Sequence, residues 1–146
     1  MNKVIITSLK EETQQVGEDL VSNLKDKNII ALYGDLGSGK TTFVQGLAKG
    51  LGIKKRIISP TFVLVREHRI MNQESRIMNL YHIDLYRIEN VSEIKNLGLE
   101  EIMNDRNNIV AIEWAEKMGS LLPKKRLDIR FKYMDENKRE IFIESS

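Results

Sequence analysis

The clearest chemical signal in the chain is a glycine-rich segment that ends in a lysine and a threonine. Residues 34–41 read GDLGSGKT and satisfy the pattern G-x-x-x-x-G-K-S/T. The glycines allow the backbone to turn so that successive N–H groups point inward and can bind an anion. In this pattern the lysine, here Lys40, reaches the β- and γ-phosphates of a nucleotide, and the hydroxyl of Thr41 suits a Mg²⁺ ligand position. The spacing therefore predicts a phosphate-binding loop.

The segments on either side of this loop have the patterns that it requires. Residues 29–33 are a short apolar run that is β-branched at its start, which is typical of a buried strand. Residues 43–51 repeat apolar side chains at helical intervals, and Gly52 ends the helix. A helix that begins near Lys40 directs its positive end towards bound phosphates. Strand, glycine turn and helix in this order open an α/β nucleotide-binding fold, whereas an ordinary glycine turn needs neither flank.

Two carboxylates lie where strands could deliver them to a metal ion at this loop. Glu113 ends the apolar run 109–112, which is where a strand beside the loop strand presents an acid to Mg²⁺. Asp84 lies in a less apolar strand candidate. For each carboxylate the alternative is a solvated acid at the end of a strand. A third candidate, Thr61, follows a Ser-Pro pair, and a hydroxyl in such a loop can contact a γ-phosphate, although the local pattern by itself favours an ordinary turn.

The remaining periodicity predicts an α/β fold with a mixed sheet. Strand-like segments form two antiparallel pairs, 57–68 with 77–88 and 127–133 with 139–144. Helices are expected at 11–25, at 91–104 with a break at Gly98, and at 115–121. The first helix would begin with a capping box, because Ser8 precedes Glu11 by three positions. We therefore expect one domain over residues 1–146, with a largely parallel sheet core and antiparallel additions.

Composition excludes several classes of site. The chain has 146 residues, of which 41% are hydrophobic and 30% charged, so it can bury a core without a disulfide or a metal. It contains no cysteine, which excludes a disulfide scaffold, a thiolate zinc site and a cysteine nucleophile. Its two histidines, His68 and His82, have no metal-ligand partner at useful spacing, so no zinc is expected.

Charge and hydropathy limit the expected cellular location and binding partners of the protein. A net charge of +2 disfavours electrostatic binding of nucleic acid by the protein as a whole. The basic triplets 54–56 and 124–126 are expected to be solvated surface. The apolar run 4–6 is too short for a signal-peptide core, and no run approaches the ~18 apolar residues of a membrane span. A cytoplasmic protein with no membrane contact is the expectation.

Three further motifs follow the phosphate loop in a fixed order. With the loop, the motifs are 34–43 (GDLGSGKTTF), 59–62 (SPTF), 82–87 (HIDLYR) and 112–114 (IEW). Together they resemble the TsaE family of bacterial ATPases, which are required for the threonylcarbamoyladenosine modification of tRNA. The similarity runs over almost the whole chain, and four motifs in register are far more specific than the loop alone.

The resemblance implies a small α/β domain that binds ATP with Mg²⁺. Thr41 and Glu113 match the metal positions of the family, and Glu113 joins Asp84 and Thr61 in the catalytic and switch-like set. Lys10 is implied to lie near the base of the nucleotide. The other implied nucleotide-binding positions are Gly37, Ser38, Gly39, Lys40, Thr42 and the aromatic Trp114. The family works with TsaD and TsaB, so tRNA would be met through that complex. Hydrolysis would support repeated cycles of modification rather than transfer the threonylcarbamoyl group.

Other functions compete with a partner-dependent ATPase. A GTPase is disfavoured, because no aspartate has a glycine three positions later and residues 137–140 (NKRE) match the guanine motif N-K-x-D only superficially. A small-molecule or nucleoside kinase, with Asp84 as the base, stays open, although no compact arginine-bearing lid is visible. The non-enzymatic alternative is a module whose partner surface is ordered by nucleotide, and direct RNA contact through the basic triplets is a minor option.

Overall fold

The computed structural model describes residues 2–24, 26–54, 57, 65–70, 77 and 79–145. Within these residues seven strands form one sheet. The strands are β1 (Asn2–Thr7), β2 (Ile29–Tyr33), β3 (Val65–Arg69), β4 (Asn79–Asp84), β5 (Asn108–Glu113), β6 (Leu127–Tyr133) and β7 (Arg139–Ser145). The helices are α1 (Lys10–Leu20), α2 (Lys40–Gly50), α3 (Val91–Lys95) and α4 (Leu99–Asn104), and 3₁₀ segments lie at Val21–Asn23 and Ala115–Leu121.

The sheet has the strand order β1-β7-β6-β2-β5-β4-β3. Its centre is parallel, because β2 pairs in parallel with β5 and β6, and β4 pairs in parallel with β5. The pairs β6–β7, β7–β1 and β3–β4 are antiparallel. The central strands β2 and β5 are apolar runs because helices and 3₁₀ segments cover both faces of the sheet. This arrangement confirms the predicted α/β fold with a mixed sheet, and it brings the carboxyl ends of four parallel strands to one edge.

Helices α1 and α2 pack on one another at a distance that only glycine permits. A Cβ atom at Gly46 would lie 1.8 Å from the carbonyl oxygen of Gln14, and one at Gly17 would lie 2.3 Å from that of Phe43. Both distances are well below van der Waals contact, so the two backbones touch directly. Phe43 is fully buried against the sheet beneath this helix pair. The close approach therefore fixes α1 relative to the helix that follows the phosphate loop.

The predicted capping box of Ser8 and Glu11 is wrong, because Leu9 occupies the N-cap position and makes no side-chain cap hydrogen bond. The helix begins at Lys10, and the carboxylate of Glu12 rather than Glu11 accepts hydrogen bonds from the backbone N–H groups of Ser8 (2.5 Å) and Leu9 (3.0 Å). Adjacent glutamates offer nearly the same spacing, and the chain uses the later one. The carboxylate thereby satisfies two N–H groups at the helix start and complements the helix dipole.

The end of α1 also comes earlier than the predicted helix 11–25. The α-helix stops at Leu20 and continues as a 3₁₀ segment. There the side chains of Ser22 (3.1 Å) and Asn23 (3.0 Å) both donate to the carbonyl oxygen of Asp19. Short polar side chains that bond to the backbone in this way compete with helix continuation, which accounts for the early end.

The middle of the chain matches its prediction in part. Strands β3 and β4 pair antiparallel as expected, while residues 58–64 of the predicted strand 57–68 lie outside the described residues. The predicted strand 77–88 ends at Asp84, because residues 85–88 turn with a hydrogen bond from Ile88 N–H to Leu85. The predicted C-terminal hairpin and the helix break at Gly98 (φ 70°) are confirmed.

The predicted helix 115–121 forms, but it is a 3₁₀ rather than an α-helical segment. Gly119 has φ 53° and ψ −127°, which interrupts helical geometry within it. In the part of the chain that the structure describes, no helix is long and apolar enough to cross a membrane.

Candidate nucleotide-binding site

A cleft of about 510 Å³ opens at the carboxyl edge of the parallel strands. It is lined by every predicted site residue that the structure describes: Lys10, Gly37, Ser38, Gly39, Lys40, Thr41, Thr42, Asp84, Glu113 and Trp114. The remaining predicted residue, Thr61, lies outside the described residues. The fold therefore gathers side chains from α1, the phosphate loop, α2, β4 and β5 around one cavity.

The loop between β2 and α2 has a backbone suited to phosphate binding. Gly34, Gly37 and Gly39 have positive φ angles of 147°, 76° and 109°, a region that residues with a Cβ rarely adopt. At Gly34 a Cβ would also lie 2.8 Å from the carbonyl oxygen of Phe131 in β6. Helix α2 begins directly after Gly39, so the N–H groups of its first turn and the positive end of its dipole lie at the cleft.

Lys40 is held at the cleft by neutral groups. The residue is only 4% exposed. Its Nζ donates hydrogen bonds to the carbonyl oxygens of Gly34 and Asp35 (3.1 Å for Asp35) and lies 4.2 Å from the ring centroid of Trp114. Burial lowers the pKa of Lys40 below its ordinary value, and nearby carboxylates, first that of Glu113, oppose this shift. The ammonium is therefore incompletely compensated by its surroundings.

The carboxylate of Glu113 is buried between a hydroxyl and an imidazole. Thr41 Oγ1 donates to Oε2 of Glu113 at 3.0 Å and lies 3.3 Å from Oε1. Nε2 of His82 lies 2.5 Å from the same Oε2. Glu113 pairs with Leu32 in the parallel β2–β5 register, so β5 ends beside the loop strand, as the sequence predicts.

Asp84 ends β4 directly opposite Glu113 in the parallel β4–β5 register. Oδ1 of Asp84 accepts a hydrogen bond from the backbone N–H of Tyr86 at 3.0 Å, and the residue is 8% exposed. Two acids from adjacent strands therefore reach the same edge of the sheet. One of them contacts the loop threonine, and the other is anchored by the turn that follows its own strand.

Trp114 forms one wall of the cleft because its backbone turns out of the strand direction. Its φ of 59° and ψ of 42° are left-handed, which costs a residue with a Cβ roughly 1–2 kcal/mol. The indole packs against Tyr86 at a centroid distance of 5.2 Å. Nζ of Lys117 donates to the carbonyl oxygens of Tyr86 and Ile88, which fixes the turn that carries Tyr86. This packing holds the indole beside the ammonium of Lys40.

Sequence reasoning assigned no role at the site to His82 or to Arg139. For His82 the available signal is its spacing of two from Asp84, because alternate residues of a strand share a face. Arg139 lines the cleft, and its Nη2 donates to the carbonyl oxygen of Gly37 at 3.1 Å. No local pattern in residues 137–140 points from that hairpin to the phosphate loop.

The oxygen donors beside the loop suit Mg²⁺, which takes oxygen ligands and often only one or two carboxylates together with phosphate oxygens. The hydroxyl of Thr41 and the carboxylate of Glu113 converge at 3.0 Å. Over the residues that the structure describes, no three His, Cys, Asp or Glu side chains gather as a metal cage. The arrangement therefore suits an ion shared with a phosphate rather than one enclosed by protein.

Comparison with known proteins establishes the family. A sequence model of the family described as "Threonylcarbamoyl adenosine biosynthesis protein TsaE" matches residues 7–141. The chain belongs to the TsaE family. The matched region includes every predicted site residue of this TsaE-family chain. Family membership confirms the resemblance and associates the chain with threonylcarbamoyladenosine biosynthesis, a tRNA modification.

Individual relatives agree with this assignment. The TsaE protein of Bacillus subtilis is 38% identical over 131 residues, which cover 90% of this chain and 78% of the relative. The TsaE protein of a Nostoc species is 43% identical over 146 residues, which cover 98% and 85%. The crystal structure of Bacillus subtilis YdiB superposes with a TM-score of 0.78 at 31% identity and covers 99% of this chain and 86% of that one. The TsaE-family fold is therefore supported by sequence and by structure.

Proposed function

We propose that this TsaE-family chain binds ATP with Mg²⁺ and hydrolyses ATP in support of threonylcarbamoyladenosine biosynthesis. The observation that carries the proposal is the 3.0 Å contact between Thr41 Oγ1 and Glu113 Oε2, which joins the start of α2 to the end of β5. In phosphate-loop enzymes a loop hydroxyl and an acid from a nearby strand form the pair that holds the metal ion. An ordinary glycine turn has no need of a buried carboxylate at this position.

In this proposal the phosphates lie across the backbone of the loop. N–H groups of Gly37, Ser38 and Gly39 and of the first turn of α2, which includes Thr42, are the donors. Lys40 supplies the cation. Its partners in the structure are neutral carbonyl oxygens and a π face, and charged phosphate oxygens would bind the ammonium more strongly. The lowered pKa of Lys40 has the same cause, since the buried charge lacks full compensation.

Thr41 and Glu113 are the residues proposed to hold Mg²⁺. When bound there, the ion would neutralise charge on the β- and γ-phosphate oxygens. Glu113 contributes its buried carboxylate, and Thr41 orients its hydroxyl from the first turn of α2. Glu113 thus acts in catalysis through the position of its carboxylate beside the loop.

Asp84 is the residue proposed to orient the attacking water. Its carboxylate lines the cleft next to Glu113, and the backbone N–H of Tyr86 fixes its orientation. A carboxylate in this position can accept a hydrogen bond from water and take its proton. Thr61 is proposed as the switch-like hydroxyl that senses the γ-phosphate.

The nucleoside is proposed to extend from the loop on the side away from the two acids. Strands β5 and β4, which carry Glu113 and Asp84, lie on one side of β2, and β6 and β7 lie on the other. Lys10 at the start of α1 and Arg139 at the start of β7 line the same cleft. Lys10 is proposed to lie near the base because it lines this cleft and matches the position that the family resemblance implies.

TsaD and TsaB are proposed as partners that raise a slow intrinsic turnover. Charge that develops on the transferred phosphoryl group is often stabilised by an arginine, supplied in cis or by a partner protein. Arg139 directs Nη2 to the carbonyl oxygen of Gly37 and Nη1 to that of Asp135 at 2.7 Å. Its guanidinium therefore supports the loop backbone in this structure, and a partner surface is proposed to complete the catalytic site.

We propose that this chain acts on tRNA through the complex and does not bind tRNA directly. In the basic triplet 124–126, Lys125 pairs with Asp26 at 2.5 Å and Arg126 pairs with Asp128 at 2.8 Å. Much of the positive charge of this triplet is therefore compensated within the chain, which weakens its attraction for a phosphate backbone.

Turnover of ATP by the purified chain with Mg²⁺ tests the proposed chemistry. Lys40→Ala is expected to lower turnover by about 100-fold or more, because it removes the cation from the phosphates. Lys49→Ala is the matched control, since Lys49 lies in the same helix with a side chain that is 73% exposed. Full turnover in Lys40→Ala would overturn the scheme. ADP formation that requires an added acceptor alcohol would favour a kinase instead.

A further inference from the structure

We infer that His82 is a positioning residue for ATP hydrolysis and that it fixes the rotation of the Glu113 carboxylate. This inference rests on the function proposed above. The imidazole is fully buried, and its Nε2 lies 2.5 Å from Oε2 of Glu113. His82 does not itself line the cleft, whereas Glu113 does. Within the described residues, the hydrogen bond to Glu113 is the contact that connects the imidazole to the cleft.

The strand register brings the two side chains together. In the parallel β4–β5 pair, Asp84 lies opposite Glu113 and His82 lies opposite Ala111. Alternate residues of a strand share a face, so His82 lies on the same face of the sheet as Asp84 and Glu113, one step further from the cleft. The imidazole therefore supports the acid from the interior of the protein.

His82 supplies the contact that distinguishes the two carboxylate oxygens. A glutamate side chain has three torsions, and the last of them is broad and poorly determined by itself. Thr41 Oγ1 contacts both oxygens of Glu113, at 3.0 and 3.3 Å, so the threonine selects weakly between rotations of the carboxylate. His82 contacts only Oε2. Without the imidazole the carboxylate would keep its place in the chain but lose a unique orientation towards the loop.

The polar ring of His82 at a fully buried position argues against a purely packing role. Nδ1 of His82 is buried and has no hydrogen-bond partner within the described residues. An unpaired buried polar atom costs stability, so an apolar side chain would fill this volume at a smaller penalty. Where the carboxylate of Glu113 accepts this hydrogen bond, Nε2 is the donor, whichever state Nδ1 is in. Within the described residues, the imidazole therefore makes its side-chain hydrogen bond through Nε2, to Glu113.

Three substitutions separate positioning from packing. His82→Leu fills much of the volume without a donor, whereas His82→Gln keeps an N–H donor near the position of Nε2. His82→Asn carries a shorter amide that does not reach Glu113, and it replaces the leucine variant if that variant fails to fold. The control is His68→Leu, which removes the other histidine of the chain, in β3.

The measurements are the Kd of ATP by titration calorimetry, with Mg²⁺ and with EDTA, and kcat and KM for hydrolysis. In His82→Leu we expect the gain in ATP affinity that Mg²⁺ confers to shrink about tenfold, as for loss of a group that supports a metal ligand. The Kd in EDTA should stay at the wild-type value, and kcat should fall more than KM rises. His82→Gln should recover most of both losses, and His68→Leu should match the wild type.

Failure of this inference differs from failure of the proposed function. If the folded His82→Leu and His82→Asn variants keep the wild-type Mg²⁺ gain while Glu113→Gln loses it, the positioning role is wrong and the ATPase assignment stands. Equal losses in His82→Gln and His82→Asn would also reject the role, because a retained donor would then have no value. A wild-type chain that binds no ATP under either condition would instead reject the proposed function.

Discussion

Arg139, the first residue of β7, donates a hydrogen bond from Nη2 to the carbonyl oxygen of Gly37 at 3.1 Å, and the two residues are 102 positions apart in the sequence. Nη1 of the same side chain donates to the carbonyl oxygen of Asp135 at 2.7 Å. The guanidinium lies 4.5 Å from the ring centroid of Tyr133. One side chain thereby ties the β6–β7 turn to the phosphate loop.

Arg139→Ala is expected to weaken ATP binding. A hydrogen bond from a charged donor contributes about 1.5–3 kcal/mol when well shielded, and partial exposure reduces this, so the Kd of ATP should rise roughly 3- to 10-fold. Titration calorimetry measures the change. Arg130→Ala is the control. Arg130 lies in the neighbouring strand β6, and its guanidinium stacks on Tyr33 of β2, 4.4 Å from the ring centroid, rather than on the phosphate loop. Equal affinities in the two variants would contradict a role for Arg139 in supporting the loop.

Gly46→Ala is expected to destabilise the protein although alanine is the better helix former. Intrinsic propensity favours alanine by about 1 kcal/mol in a helix interior. The added Cβ, however, would lie 1.8 Å from the carbonyl oxygen of Gln14, so α1 and α2 must separate. We expect a net loss of about 3 kcal/mol or more in the free energy of unfolding, measured with urea. The exposed substitution Lys49→Ala should change it by less than about 0.5 kcal/mol. A stabilised Gly46→Ala variant would refute the close helix contact.

The fold around the phosphate loop could be predicted because its signals are local. The apolar run 29–33 is strand β2, and the run that ends on Glu113 is its parallel neighbour β5. Glycine spacing located the turn between β2 and α2, and the three glycines do adopt positive φ angles. The capping box at Ser8 and Glu11 was a wrong prediction, because the helix begins one residue later than that pattern implies, after Leu9, and the carboxylate of Glu12 binds the backbone N–H groups there. The roles of Asp84, Glu113 and Thr61 stay predictions.

The contacts that complete the site could not be predicted from local patterns. His82 meets Glu113 across 31 positions and Arg139 meets Gly37 across 102, so both contacts depend on the order of strands in the sheet. Sequence spacing does not determine that β5 lies between β2 and β4. The left-handed backbone at Trp114 is equally invisible, because no glycine or asparagine marks the position.

The contribution of Tyr81 to stability is expected to depend on pH. Its hydroxyl donates to Glu67 Oε2 at 2.5 Å, and this hydrogen bond is the main cause that raises the pKa of Tyr81 from 10.0 to about 12. The folded-state pKa lies above the unfolded one, so the stabilisation is complete below pH 10 and is lost as the pH rises towards 12.

Urea unfolding of the wild type and Tyr81→Phe at pH 8, 9, 10 and 11.5 tests this dependence. The wild type should lose stability relative to Tyr81→Phe between pH 10 and 11.5, while the difference between the two proteins stays constant from pH 8 to about pH 9. A constant difference over the whole range would show that the hydroxyl does not hold its proton more tightly in the folded state.

The most direct test of the central claim is ATP turnover by the purified chain, alone and with both TsaB and TsaD. We expect slow, Mg²⁺-dependent turnover by the chain alone and a sharp rise when both partners are present. In Lys40→Ala both rates should fall by about 100-fold or more. Either partner by itself serves as the control for a shared site. Turnover that is unchanged by TsaB and TsaD together would contradict the account of a partner-completed ATPase.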